Sequence, residues 1–446
     1  MRIRFFCGRL ILLYNKYLLS GIIALFVVLT LLMLPILLNN TEKNVVDIDK
    51  HPLVEESAKT AGVAQDDFNS VAVSPVVSNG VVKVTDKPQI SRVTFSAVGD
   101  NILHTSVLSD AKNLAVGTDK EYNFIPMFSD IIPYIKNADL AYINQESPFA
   151  GKERGYSGYP MFNSPDQMGE DLIEMGFDII NLANNHMLDK RASGYQSTID
   201  YWKTKPDVTY IGGYENKEDY ENIRIVEKNG IKIGFLAFTY GTNGIPLDSG
   251  SDMIIPLCDD YADDEIDRMT KKAREMCDIL IVSMHWGHEH WFTPSNLQER
   301  QLDILVKNNV DVVLGSHPHT LQPMFWRTRD DGKRTLVVYS LSNILSGMEY
   351  MRNMLGGVCT FELVKIGDSA FVTNPCFVPT LCHFNSSVRG FKIYKYSDYT
   401  QELLKKHGTQ VRGTDVSRDM EYLDKILSDT IDDEFLKEPE YLNDKE

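Results

Sequence analysis

The chain has 446 residues, a hydrophobic fraction of 43% and a formal charge of −17. That length and composition fit a globular protein with room for one large domain or two ordinary ones. The charge argues against a nucleic-acid binder, because no basic face is available to neutralise phosphates.

The first predicted element sets the location. Residues 18–38 read LLSGIIALFVVLTLLMLPILL, long enough to cross about 30 Å of hydrocarbon as a helix. Arg2, Arg4, Arg9 and Lys16 precede it without an acid among them, so residues 1–17 are expected to stay in the cytoplasm. A cleaved signal peptide is the competing reading. Against it, the apolar run exceeds a usual signal core and no small-x-small site follows, only Leu37-Leu38-Asn39-Asn40. The expectation is therefore a single-pass protein of the cell membrane, in contact with lipid through its anchor and with the remainder extracytoplasmic. Residues 39–91 mix Asp, Lys, Val, Ser and Pro without periodicity and read as a flexible linker. Beyond Cys7, the five cysteines Cys258, Cys277, Cys359, Cys376 and Cys382 contain no CxxC and suggest no disulfide framework.

From residue 92 the pattern becomes strand–helix–strand. VTFSAVG is a strand ending at Asp100, and ADLAYIN a second ending just before Glu146. PDQMGEDLIEMG is an amphipathic helix stopped by Gly176, and FDIINLA a strand that delivers Asn184, Asn185 and His186. Another helix is expected over Tyr195–Trp202. IRIVEKNGIKIGFLAF is a hairpin turning at Asn229-Gly230. CDILIVSMHWG leads into His285, His288, Glu289 and His290; a helix over Leu297–Asn308 follows, then VDVVLGSHPH with His317 and His319. RTLVVYSLSN, GGVCTFELVKIG and AFVTNPCFVP are strand-like with little helix between them, and are expected to form or complete a second sheet. The acidic end, IDDEFLKEPEYLNDKE, reads as a solvated tail. The fold class is α/β, with ligands expected beyond the carboxyl ends of the strands.

Five polar clusters at strand ends point to a metal site. Asp100 and Glu146 offer carboxylates, Asn185 an amide oxygen, and His285, His317 and His319 imidazoles. This mixed nitrogen and oxygen set suits Mn, Fe or Zn better than Ca. It exceeds the needs of one four-coordinate zinc, and two ions about 3.5–4 Å apart would use it economically. His186 is then placed to give a proton to a leaving group, and Asp189 to orient that imidazole. Each residue alone has a plainer reading. Asp100 would cap a helix, Asn184-Asn185 would form a turn, and the HWGHEH histidines would be surface residues, of which not all are expected to ligate. His104 joins the site only if its loop folds back.

The order GD, NQE, ANNHMLD, HWGHE, GSHPH and YSLSN, from about Val93 to Asn343, resembles the CapA family of poly-γ-glutamate capsule biosynthesis proteins. The resemblance implies a variant of the calcineurin-like metallophosphatase fold, a four-layer sandwich of two mixed sheets flanked by helices, over residues 92–385. Residues 386–446 would be an acidic extension. It implies one metal on Asp100, Glu146 and His319 and another on Glu146, Asn185, His285 and His317, with His186 as proton donor. Asn184, Glu289 and Asn343 are expected to line the substrate cleft. Two departures stand out. The superfamily's Asp-x-His opening is absent, since Asn101-Ile102 follows Asp100, and a glutamate stands at the bridging position. The implied role is in making, exporting or anchoring poly-γ-glutamate or a related envelope polymer, beside synthase subunits. Two classes of activity follow: a hydrolase of phosphoesters or amides, or a non-catalytic component that grips a polyanion.

Overall fold

A computed structural model describes residues 89–409 and 419–442. The expected cytoplasmic end, anchor and nearly all of the linker lie outside the described residues. Among the described residues, no helix is long and apolar enough to cross a membrane.

The first sheet is built on parallel strands β1 (Ile90–Asn101), β2 (Leu140–Gln145), β3 (Ile179–Asn181) and β4 (Thr209–Ile211). On the other side of β1, β12 (Leu355–Ile366), β13 (Ser369–His383) and β14 (Lys392–Lys395) add in antiparallel order. Parallel strands β6 (Ile231–Thr239), β7 (Ile279–His285), β8 (Val312–Ser316) and β10 (Arg334–Leu341) form the second sheet. Its antiparallel edges are β5 (Arg224–Lys228) and β9 (Leu321–Thr328). The short β11 (Asn343–Leu345) pairs with the end of β1. Each sheet is therefore mixed, and each collects several carboxyl strand ends along one edge.

The sheets pack face to face. Phe95 of β1 stacks on Phe235 of β6 with ring centroids 6.3 Å apart, and the Tyr142 and Ser283 hydroxyls meet at 2.7 Å across the layer. Helices Asp263–Arg274 and Asn296–Lys307 bury Ile266, Met269, Leu302 and Leu305 in one cluster with Leu236, Phe238, Leu280 and Val282 of the second sheet. Helices Asp166–Met175 and Arg191–Lys203 bury Met168, Leu172, Met175 and Trp202 in the larger cluster that includes Ile143 and Ile180. Helix ends follow local chemistry. Gly176 stops the first of these in the left-handed region (φ 97°), and Ser295 with Gln298 forms a capping box at Asn296. The hairpin turns at Asn229 and Gly230 with φ of 51° and 78°.

Three expectations need revision. The late strands do not form one sheet: β10 joins the second, while β12 and β13 extend the first by pairing with β1. Strand β1 begins at Ile90, inside the expected linker. The carboxyl end is not a solvated tail through residue 442. β14 is hydrogen-bonded to β13, Phe377 N–H donates to the Phe435 carbonyl, and Ile431 and Phe435 are buried. Apolar residues spaced through that acidic stretch hold it to the body. The five described cysteines are free thiols.

Candidate metal centre

Strand register assembles the centre. In the first sheet Asp100, Asn144 and Asn181 stand opposite one another across β1, β2 and β3. In the second, Thr239, His285 and Ser316 do so across β6, β7 and β8. Each row ends its parallel strands, so polar side chains leave the sheets together. Glycine permits the approach: a Cβ on Gly99 would lie 1.9 Å from the Ser342 carbonyl oxygen, to which Asp100 N–H donates at 2.9 Å. Past β8 the backbone turns with φ of 96° at His317 and 55° at His319. Bulky residues hold such angles only where the surroundings enforce them, at a cost of about 1–3 kcal/mol each. The enforcing contacts are visible. His317 N–H donates to Asp100 Oδ2, and the His319 carbonyl accepts from Asn353 Nδ2.

Glu146 lies at the middle. It is fully buried, and neither carboxylate oxygen has a hydrogen-bond partner. His285 Nε2 and His319 Nε2 each stand 3.8 Å from its Oε1. Burial, and then the Asp100 charge, push its pKa well above the usual carboxylate range. An unpaired buried carboxylate is costly, so a cation is the natural complement. The imidazoles suit it. Burial, then the neighbouring imidazoles, hold His285 and His317 well below the usual histidine range, hence neutral and able to ligate. The ring of His317 has a buried Nδ1 with no partner. For His319, burial lowers the pKa, but the Glu146 charge and the Asp100 hydrogen bond outweigh it and raise it to about 9. Its Nδ1 faces two acceptors, Asp100 Oδ2 at 3.1 Å and Asn343 Oδ1 at 2.9 Å, which leaves Nε2 pointed at Glu146. The Nδ1 of His285 is likewise engaged by Ser316 Oγ at 2.8 Å, and its Nε2 lies 3.1 Å from Asn185 Oδ1. Such bonds on the far nitrogen fix ligand tautomers in metal sites. Among the described residues, Asp100, Glu146 and His319 form one group able to hold a metal ion.

His186 makes a different set of contacts. Its Nδ1 lies 2.8 Å from Asp189 Oδ2, which also accepts from Phe162 N–H. Phe162 meets the ring edge-on at 4.7 Å. Nε2 is thus the nitrogen left free to carry a proton. Two expected cleft residues have other tasks. Asn184 donates to the Gln145 and Leu182 carbonyls and accepts from His186 N–H, bracing the loop from inside. Asn343 orients His319 and donates to the Asn353 carbonyl. Glu289 does line a cavity of about 780 Å³, with Tyr240, Trp291 and His317. His104 accepts from Gly347 N–H and packs edge-on against Phe162, and burial pushes its pKa down to about 4. The ring of His288 packs on Trp291.

Sequence reading missed Tyr240, Asn144 and Ser316. The Tyr240 ring lies over His317 at 4.3 Å, and Asn144 donates to Asp100 Oδ1 at 2.7 Å. Asn144 and Ser316 lay within the motifs already singled out. Tyr240 follows β6, and the same strand-end logic would have found it.

A sandwich of two mixed sheets, with metal-capable carboxylate and imidazole groups at the carboxyl strand ends, defines the class. Residues 94–348 match the family described as bacterial capsule synthesis protein PGA_cap, and the chain belongs to that family. It is 28% identical over 280 residues to the capsule biosynthesis protein CapA of Bacillus anthracis, a match covering 61% of this chain and 64% of that one. It is 28% identical over 207 residues to the PGA biosynthesis protein CapA of Bacillus subtilis, covering 46% and 52%. The matches thus span between half and two thirds of these relatives. Solved structures similar to the chain include the calcineurin-like phosphoesterase YfkN of Bacillus subtilis, at 13% identity and TM-score 0.37, over 76% of this chain and 99% of that one. A phosphatase of Mycoplasma pneumoniae gives 13% and 0.39, over 66% and 95%.

Proposed function

We propose that this is a membrane-anchored, extracytoplasmic protein of CapA type, acting in the synthesis or export of poly-γ-glutamate or a related capsule polymer. Its centre is a dinuclear-metal hydrolase site for phosphoester or amide bonds, on a calcineurin-like four-layer frame. The observation that carries the reading is Glu146, a buried carboxylate with two unpartnered oxygens facing His285 and His319. One ion would rest on Asp100, Glu146 and His319; the other would rest on Glu146, Asn185, His285 and His317. Mn, Fe or Zn suits these donors. Bound, the ions supply Lewis acidity and a water acidic enough to attack near neutral pH. The protein supplies the remaining parts. Asp189 holds the His186 ring so that Nε2 delivers a proton to the departing oxygen or nitrogen. Phe162 packs edge-on against that ring and helps to hold its orientation. The apolar run at residues 18–38 supports the anchor, and membership of a capsule synthesis family supports the role in making the polymer; synthase subunits are the proposed partners. A polymer-gripping role is less well supported, because it gives the paired His186 and Asp189 side chains no task.

The test is His186→Asn in the full-length protein, assayed on phosphomonoesters, phosphodiesters and γ-glutamyl peptides. Hydrolysis should fall about 10²–10⁴-fold, least for a nitrophenolate leaving group, with metal content unchanged. No hydrolysis by the wild type, together with polymer output unaffected by His186→Asn but abolished by Asp100→Ala, would replace the enzyme with the binder.

A further inference from the structure

The ligand set above leaves the ion beside β1 with a single imidazole, His319. Where the Asp-x-His pattern would place a histidine, this chain has Ile102, which is buried and apolar. His104 does not make up the loss. Its ring is committed to Gly347 N–H and Phe162, and it belongs to neither of the groups whose ligand atoms come together among the described residues.

The second of those groups contains Glu289. A carboxylate oxygen of Glu289 and ring nitrogens of His317 and His319 all lie within 4.8 Å of one another, and His319 also belongs to the group with Asp100 and Glu146. Donors held tetrahedrally by one ion at about 2.1 Å stand about 3.4 Å apart, so closure requires these atoms to approach by up to about 1.4 Å. The Glu289 loop is fastened beside these histidines. Gly287 turns the chain with φ 85°, and His290 N–H donates to the Pro318 carbonyl at 2.7 Å. The Trp291 carbonyl accepts from Thr320 Oγ1 and Gln322 Nε2. Three hydrogen bonds thus staple the Glu289 loop to the loop of His317 and His319. The Glu289 side chain is half exposed, at the boundary between the centre and the cavity.

We infer that Glu289 is a metal ligand that closes the centre on its cavity side, beside His317 and His319. This rests on the dinuclear-metal reading and adds a residue to it. The test uses the full-length chain loaded with Mn²⁺ or Co²⁺, with metal counted by elemental analysis and Kd measured by chelator competition. The wild type and His288→Ala should hold two ions per chain. Glu289→Gln should weaken one of them at least about tenfold and shift the visible absorption of the Co²⁺ form. Glu289→Asp, which keeps the carboxylate on a shorter arm, should fall between. Glu289 is half exposed, so metal-free melting should not change. Two ions in the wild type with Kd and Co²⁺ spectrum unaltered in Glu289→Gln would overturn this assignment and leave the metal reading standing. No metal in the wild type would overturn both.

Discussion

The loops after β7 and β8 carry similar side chains and bring them to different ends. After β8, His317 and His319 are only 3% and 2% exposed, locked by left-handed backbone and by Asp100 and Asn343. At the end of β7, His285 is the only one of this segment's histidines that is fully buried; His288, Glu289 and His290 lie beyond the turn at Gly287 and are exposed or partly so. A histidine thus joins the buried cluster when strand register or an enforced turn carries it there. One carried past the turn at Gly287 remains at the rim. Composition does not distinguish the two loops, but position relative to the strand end does.

The largest effect that would sharpen this contrast is loss of a buried ligand. If the proposed site holds metal, His285→Ala and His319→Ala should each abolish tight metal binding and remove the stabilisation that bound metal would give. That stabilisation is about 4 kcal/mol when the ion is held at 1,000 times its Kd. His288→Ala, on the rim, should change neither metal content nor melting temperature. Equal losses in all three, by elemental analysis and calorimetry, would erase the distinction between the loops.

Next is the glycine that admits Asp100. Gly99→Ala drives a methyl into the Ser342 carbonyl and should cost about 3 kcal/mol or more, read by urea unfolding of metal-free protein. It should also lower metal affinity by displacing Asp100. A stable variant with normal affinity would show that the β1 end has slack.

The third effect concerns His104 and pH. Burial holds its folded pKa at about 4, against about 6.5 in the unfolded chain. Above pH 6.5 both states are neutral and it contributes nothing. As pH falls through 6.5 the unfolded chain takes up a proton that the folded one refuses. Stability is then lost down to about pH 4, by roughly 3 kcal/mol in all. The stability advantage of wild type over His104→Gln should therefore shrink between pH 7 and pH 4.5. A constant gap would mean that His104 is not shielded from protonation.

Much of this was legible because the same grammar repeats: a short apolar strand, a glycine or small residue, then a polar side chain. That pattern singled out Asp100, Glu146, Asn185, His285, His317 and His319, and strand register explains why Asp100 and His285 end their strands in polar rows. The pairing of β12 with β1 was not legible. It joins Ile90 to Ile366, and local pattern says nothing about partners that distant in sequence. Strand β9 was missed because Pro323 interrupts it, which is tolerated only at a sheet edge. The inward turn of Asn184 was hidden for another reason. Asn184 and Asn185 are adjacent and chemically identical, and only the folded loop decides that one braces the backbone while the other faces His285. The packing of the carboxyl end was obscured by its acids, although Ile431 and Phe435 were in plain view.

The proposed metal site depends above all on Glu146, whose buried carboxylate has no partner. The direct measurement is the metal content of full-length wild type and Glu146→Gln, purified alike and counted per chain by elemental analysis. Glutamine keeps the size of the side chain and removes its charge, so the fold should persist. The account predicts two divalent ions per wild-type chain and fewer than one per Glu146→Gln chain. The same metal content in both, or none in the wild type, would contradict it.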